Sequence, residues 1–293
     1  MNWLTEFPQL GRSDLTMIKK TLDNAYREFT RNYGEGVELF FEPILQMLIF
    51  VERVLLAAPW WLVIGCIIGL TYLASRSWKM CVGVCAAFLL IGIFGMWKDT
   101  MHTMGMITVC TLLAIVMGVP IGVAMALSGT VRSIVTPILD VMQTMPAFVY
   151  LIPVVMLLGI GKVPGLLAVI IYAIPPVIRL TDLGIRMVDP EVLEAADAFG
   201  CTRLQKLIKA QIPLALPNIM AGVNQTIMMA LAMVVIASMI GVKGLGQPVL
   251  KSISNQYFTL GLMNGLAIVA LAIVFDRVSQ AYGKRIMAQR GQS

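Results

Sequence analysis

Seven uncharged stretches, each bounded by charged residues, run from Val54 to Ser75, Met80 to Trp97, Thr100 to Val131, Val141 to Gly161, Val163 to Ile178, Ala210 to Val242 and Ser252 to Phe275. A bilayer is crossed by about 20 apolar helical residues, and stretches of this length exceed what the core of a small soluble domain asks of one helix. The chain is therefore predicted to be an all-α polytopic membrane protein of about seven transmembrane helices. Val163 to Ile178 is the shortest stretch, and Lys162 and Arg179 at its ends can snorkel to the two interfaces. Composition agrees: 58% of the 293 residues are hydrophobic and 13% charged, against roughly 45–50% and about 25% in soluble domains.

Lys and Arg counted in alternate loops set the direction. Twelve lie on one side, among them Arg76, Arg132, Arg179, Arg186, Lys206 and Arg277, against Lys98, Lys162, Lys243 and Lys251 on the other. The basic side is cytoplasmic. The loop 186–212 and the tail 283–293 are then inside, the transmembrane domain covers 54–282, and the N-terminus is outside. From Ser13 to Arg31 the residues Leu15, Ile18, Leu22, Ala25, Tyr26 and Phe29 recur at helical spacing, which predicts an amphipathic helix. Gly34-Glu35-Gly36 is expected to break it. The next apolar run, Pro43 to Val51 between Glu42 and Glu52, is too short to cross, so the tail 1–53 is expected to lie on the outer face. An eighth span closing on Glu52 and Arg53 is the alternative, at the cost of placing those charges in lipid. Residues 1–36 are polar and mixed in charge, so no cleavable signal peptide is expected.

The same reading excludes several chemistries. The net charge of +6 comes from scattered basic residues rather than one basic face, so nucleic acid is not an expected partner. Four of the five cysteines, Cys66, Cys81, Cys85 and Cys110, lie in apolar runs and read as packing thiols, and no metal-ligand spacing is present. Gly161-Lys162 and Gly283-Lys284 lack the upstream glycine and following Ser or Thr of a phosphate-binding loop. Asp140 is read as a cap or interface residue after a helix start at Thr136-Pro137, and His102 as a solvated loop residue. No nucleophile, base and acid come together, so catalysis is not expected.

The loop between the fifth and sixth stretches carries the most information. Asp189 is placed to cap a helix with Pro190 in its first position, Glu191 near its positive end and Gly200 to close it. Thr202 and Gln205 have the spacing of a capping box that opens a second helix. Val192, Ala195, Ala196 and Phe199 fall on one face of the first helix, where paired alanines admit close approach, while Glu191 and Glu194 offer charge to a docking partner. A plain connector between spans is the alternative.

Glu194-Ala195-Ala196, three residues, Gly200 and a downstream Ile212-Pro213 resemble the E-A-A loop of permease subunits in ATP-binding-cassette importers. Ala210 and Ile212 stand where the family usually has Ile and Leu. Asp140-Val141-Met142-Gln143-Thr144-Met145-Pro146-Ala147-Phe148-Val149-Tyr150 is similar to the glycine betaine/proline branch in particular. The resemblance covers roughly residues 55 to 280 and implies the all-α fold of such permeases in the bacterial inner membrane. It also implies that two copies form the pore and that two separate ATPase subunits bind ATP and Mg. Those subunits would dock on Glu191, Glu194, Ala195, Ala196, Phe199 and Gly200, an external binding protein would deliver solute, and no cofactor would reside in this chain.

Gln143, Thr144, Met145 and Pro146, with Phe148 and Tyr150, sit in an otherwise apolar stretch, and Pro146 and Pro153 are expected to kink it toward a cavity. Asn224 and Gln225 are candidates for the same path, and interhelical hydrogen bonding is the other use open to such residues. A zwitterion such as a betaine needs no buried countercharge, which suits a neutral polar path. Choline and carnitine remain open as solutes. A stand-alone carrier or channel is the rival from another class, and the internal repeats it would need are not found. A cysteine placed at residue 5 should react with an impermeant thiol reagent applied outside, whereas Cys201 should not; the reverse pattern would overturn the orientation.

Overall fold

The computed structural model describes residues 10–290, without the side chains of Glu35, Lys284 and 286–290. Residues 1–9 of the expected outer tail, including position 5, and 291–293 of the expected cytoplasmic tail lie outside the described residues. The described residues form helices α1 (Arg12–Ala57), α2 (Trp60–Ser75), α3 (Trp78–Ile93), α4 (Trp97–Leu127), α5 (Gly129–Thr144), α6 (Leu151–Leu158) and α7 (Lys162–Ala173). There follow α8 (Pro175–Arg186), α9 (Pro190–Ala198), α10 (Arg203–Lys206), α11 (Ile212–Ala237), α12 (Gly246–Asn255) and α13 (Phe258–Arg290). No strand occurs among them.

Trp97–Leu127, Lys162–Arg186, Arg203–Ile240 and Phe258–Gly283 are each long and apolar enough to cross a membrane. Gly36–Ala57 with α2, and α5 with the segment Ala147–Leu158, make two further candidates bent by 112° and 113°, and α3 is a 16-residue apolar helix. Four spans, or six with each bent pair taken as one, beside the shorter α3, roughly match the seven of the sequence reading; several boundaries differ.

Gly34-Glu35-Gly36 does not break α1, which continues to Ala57. Gly34 is buried, and a Cβ there would lie 3.6 Å from the Leu157 carbonyl, so close packing on α6 outweighs the helix penalty of glycine. The break comes instead at Ala58, extended before Pro59 as that ring requires, so Val54–Ala57 belongs to α1 rather than to the first span.

The stretch Val141–Gly161 is likewise not one helix. The helix begins at Gly129, where Ser128 Oγ accepts from the Val131 N–H at 3.4 Å, and Pro137 lies inside it. It stops at Thr144, with Met145 extended before Pro146. Pro153 produces no kink, because it falls in the first turn of α6, where the N–H has no intrahelical partner to lose. The fifth stretch runs on through Arg179 to Arg186, since that guanidinium is paired with Asp140 and need not end the helix. A short π-helical run, Leu207–Gln211, joins α10 to α11 just before Pro213, so the sixth helix starts earlier than its uncharged residues do. Ser252 belongs to α12, which closes at Gln256 in the left-handed region, and the last long helix starts at Phe258.

The centre of the molecule is α8, held between α4 and α11. A Cβ on Gly122 of α4 would sit 2.6 Å from the Ile178 carbonyl oxygen and from Thr181 Cβ of α8. On the other side, a Cβ on Gly222 of α11 would meet Val177 Cα at 3.0 Å, and one on Gly184 of α8 would meet Asn218 Cβ at 2.8 Å. Backbones approach this closely only where side chains are absent, which is the main source of helix association when lipid is as apolar as the core. Replacing Gly122 by Leu should therefore push α4 off α8 and destabilise the protein by about 2 kcal/mol or more. Gly129→Leu, where nothing lies within 4 Å, should be nearly neutral; thermal unfolding in detergent would check both.

Candidate functional site

The helix pair between α8 and α11 is built by local chemistry. Asp189 Oδ1 accepts from the Glu191 N–H at 2.9 Å, and Pro190 opens α9 without a donor to satisfy. At the other end Gly200 has φ +75°. Its N–H donates to the Asp197 carbonyl at 2.9 Å and that of Cys201 to the Ala196 carbonyl at 3.0 Å, a Schellman closure. Thr202 and Gln205 bond reciprocally at 2.9 and 3.3 Å, completing the capping box. Lys206 Nζ reaches both Asp197 oxygens, at 2.6 and 2.7 Å, and ties α10 to α9.

This stiff element is turned outward. No residue of α9 is buried, and Phe199 is 89% exposed. Val192, Ala195, Glu191 and Glu194 are also exposed, whereas Ala196 is half-buried on the inner side. All six residues singled out in the loop, Glu191, Glu194, Ala195, Ala196, Phe199 and Gly200, thus belong to one capped surface element.

The second group of residues lies at the break between α5 and α6. Gln143, Thr144, Pro146 and Phe148 are exposed, and Met145 is half-buried against the core. Thr144 Oγ1 donates back to the carbonyls of Asp140 and Val141, both at 3.1 Å. Tyr150 is buried at the foot of the break: its hydroxyl donates to the Met142 carbonyl, and its ring meets Tyr172 edge-on with centroids 5.6 Å apart. The structure separates the two candidates on α11. Gln225 is exposed, whereas Asn224 donates to Asp276 Oδ1 at 2.9 Å and accepts from Ser279, so it joins α11 to α13 in the interhelical role the sequence left open.

Two charge clusters escaped sequence reasoning. Glu52 is buried, is paired with Lys162, and lies 3.4 Å from His102 Nδ1. His102 is therefore packed beside a carboxylate rather than solvated, and Lys162 has a partner besides the interface. The other cluster joins α5 to α8. Buried Asp182 is held by Arg186 at 2.9 and 3.0 Å and faces Arg132 at 3.6 Å, and Arg179 pairs with Asp140. Only the Asp182 and Arg186 spacing of i, i+4 was visible in the sequence; the other pairs depend on how the helices dock. Cys81 and Cys110 are buried free thiols, as packing residues should be, while Cys66 is exposed. No group of three or more metal-binding side chains is found among the described residues.

Residues 118–288 match the family of binding-protein-dependent transport system inner membrane components. The glycine betaine/carnitine transport permease protein GbuB of Listeria monocytogenes serotype 1/2a (strain 10403S) is 46% identical over 236 residues, 80% of this chain and 84% of its own. The glycine betaine/proline betaine transport system permease protein ProW of Escherichia coli (strain K12) is 50% identical over 205 residues, 70% of this chain and 58% of its own. In fold, the chain is similar to the MetNI methionine ABC transporter in an inward-facing form, with a TM-score of 0.58 at 20% identity over 63% of this chain and 93% of that one. In this family the permease subunit is the membrane pore, and ATPase activity resides in a separate subunit. With residues 118–288, more than half of its length, matching that family, the chain belongs to the inner membrane components of binding-protein-dependent transport systems.

Proposed function

We propose that the chain is the pore subunit of an ATP-driven importer of compatible solutes, glycine betaine first among them. The substrate class rests on the relatives, since glycine betaine is named in both GbuB and ProW. Proline betaine is the next solute to test, and carnitine follows from the printed name of GbuB. Family membership favours this reading over a stand-alone carrier or channel. In the assembly proposed here two copies of the chain form the pore, two ATPase subunits bind ATP and Mg, and an external binding protein delivers solute.

The observation that carries the coupling role is α9 itself. A helix capped at both ends, with no buried residue and a phenylalanine 89% exposed, is rigid enough to transmit a push and unsatisfied until a partner covers it. Glu191, Glu194, Ala195, Ala196, Phe199 and Gly200 are assigned to the ATPase dock. Gln143, Thr144, Met145, Pro146, Phe148, Tyr150 and Gln225 are assigned to the pathway, whereas Asn224 is given to the α11–α13 contact. The basic count supports an N-terminus outside and a C-terminus in the cytoplasm, with the polar tail before the first span on the outer face.

In vesicles holding the permease, the ATPase and the binding protein, labelled glycine betaine should enter only with ATP inside the ATPase compartment. Gly200→Val forces a branched side chain toward positive φ, at about 1 kcal/mol or more. This variant, or Glu194→Lys, should leave the permease folded but cut uptake by about tenfold or more, in line with the loss of a 1–3 kcal/mol coupling. Lys98→Ala should do neither. Normal uptake by the two loop variants would make the loop a connector only.

A further inference from the structure

Helix α5 is poorly seated for a segment that carries half of a broken span. Leu139 is its single buried residue, while Ile134, Ile138 and Val141 are all more than half exposed. At one end it is joined to α4 by the turn at Ser128, and at the other the chain bends by 113° at Met145 and Pro146. Beside the apolar contact that Leu139, Val131, Val135 and Met142 make with α4 and α8, two ion pairs fasten it to α8 across the helix boundary. Arg132 Nε lies 3.6 Å from Asp182 Oδ2, and Arg179 pairs with Asp140. These charges border a cavity of about 230 Å³ lined by Arg132, Arg179, Asp182 and Arg186 together with Met125 and Leu139.

The pattern of signs sets one register. Along α5 the cation Arg132 precedes the anion Asp140, and along α8 the cation Arg179 precedes the anion Asp182, so the antiparallel pairing matches opposite charges at both points. Reversing the pairing would set Arg132 against Arg179 and Asp140 against Asp182. The pairs are also built to open. Asp140 and Arg132 are 58% and 45% exposed, so solvent screens them and breaking them costs little. Asp182 is only 8% exposed, but Arg186 holds it from the same helix, so withdrawal of Arg132 strands no buried carboxylate. Helix α8 itself is clamped between α4 and α11, and it ends at Arg186, just before the Asp189 cap of α9. Motion of α9 therefore reaches α8 first, and α5 through the ion pairs.

We propose that the Arg132–Asp182 and Asp140–Arg179 pairs are a latch that fastens the α5 half of the broken span to α8 and is released and remade as α9 moves. Arg132, Asp140, Arg179 and Asp182 are then positioning residues for transport; they act on the bend at Pro146 through α5. This rests on the coupling role given to α9 above.

The test is charge exchange in the complete transporter, reconstituted in vesicles with its ATPase and binding protein, with ATP hydrolysed per solute imported as the readout. Asp140→Arg and Arg179→Asp should each raise that ratio by about tenfold, and the double variant should bring it back to within about twofold of wild type. A structural role alone would lower the amount of assembled transporter without changing the ratio. Wild-type ratios in the single variants, or a double variant no better than either, would overturn the latch. Should the single variants fail to assemble, Asp140→Cys with Arg179→Cys in a chain whose five native cysteines are replaced keeps the question open to measurement. A short bifunctional thiol reagent cleavable by dithiothreitol should stop uptake, and the reductant should restore it; full uptake with the link in place would overturn the proposal. If Gly200→Val uncouples the transporter and the charge variants do not, the latch is wrong and the role of α9 stands. If the charge variants uncouple, their combination recovers and Gly200→Val is normal, the ion pairs govern transport but not through α9, and the drive of the latch by α9 falls.

Discussion

Everything in this protein that bears on function is hung on the close approach of three backbones. Helix α8 passes between α4 and α11 at distances that leave no room for a Cβ at Gly118 and Gly122 on one side or at Gly184 and Gly222 on the other. In a bilayer the hydrophobic effect does not distinguish a neighbouring helix from lipid, so dense packing through small residues supplies the specificity. The clamp makes α8 a rigid beam. It carries Asp182 and Arg179 on the side facing α5, and it delivers α9 to the surface a few residues beyond its end.

Around that beam the structure divides into elements that are fixed and elements that are free. Phe88, Met101, Met106, Leu166, Met233, Leu245 and Leu271 are fully buried and join α3, α4, α7, α11, the 241–246 turn and α13 into one core. Helix α1 is pinned to it by Leu48 and by the buried Glu52, which answers Lys162 and His102 across three helices. A carboxylate with 6% exposure is tolerated there because Lys162 pairs with it. By contrast α5 and α9 bury one residue and none, respectively. Elements with few buried contacts are those that move at low cost, and here they are the half-span next to the Pro146 break and the outward helix α9.

The position of the break shows why local rules give partial answers. Pro146 and Pro153 look alike in sequence, yet one ends a helix and the other sits in the first turn of the next, where a missing N–H has no consequence. Glycines 34 and 36 look like a helix end and are not one, because Gly34 packs against the Leu157 carbonyl of α6. In each case the residue has the same intrinsic preference, and the neighbouring helix decides whether that preference is expressed.

What the sequence determined by itself is whatever depends on residues close along the chain. The uncharged stretches commit the protein to the bilayer and to helices, and Asp189, Pro190, Gly200, Thr202 and Gln205 build α9 and its turn without help from elsewhere. That is why α9 was legible down to its caps. Tertiary structure alone decided which charges meet: Asp140 and Arg179 are 39 residues apart, Glu52 and Lys162 are 110 apart, and Asn224 finds Asp276 across 52. No spacing rule reaches that far. A charge next to an apolar run reads as a span boundary until docking supplies its partner, and the helix then continues through it, as α8 does past Arg179.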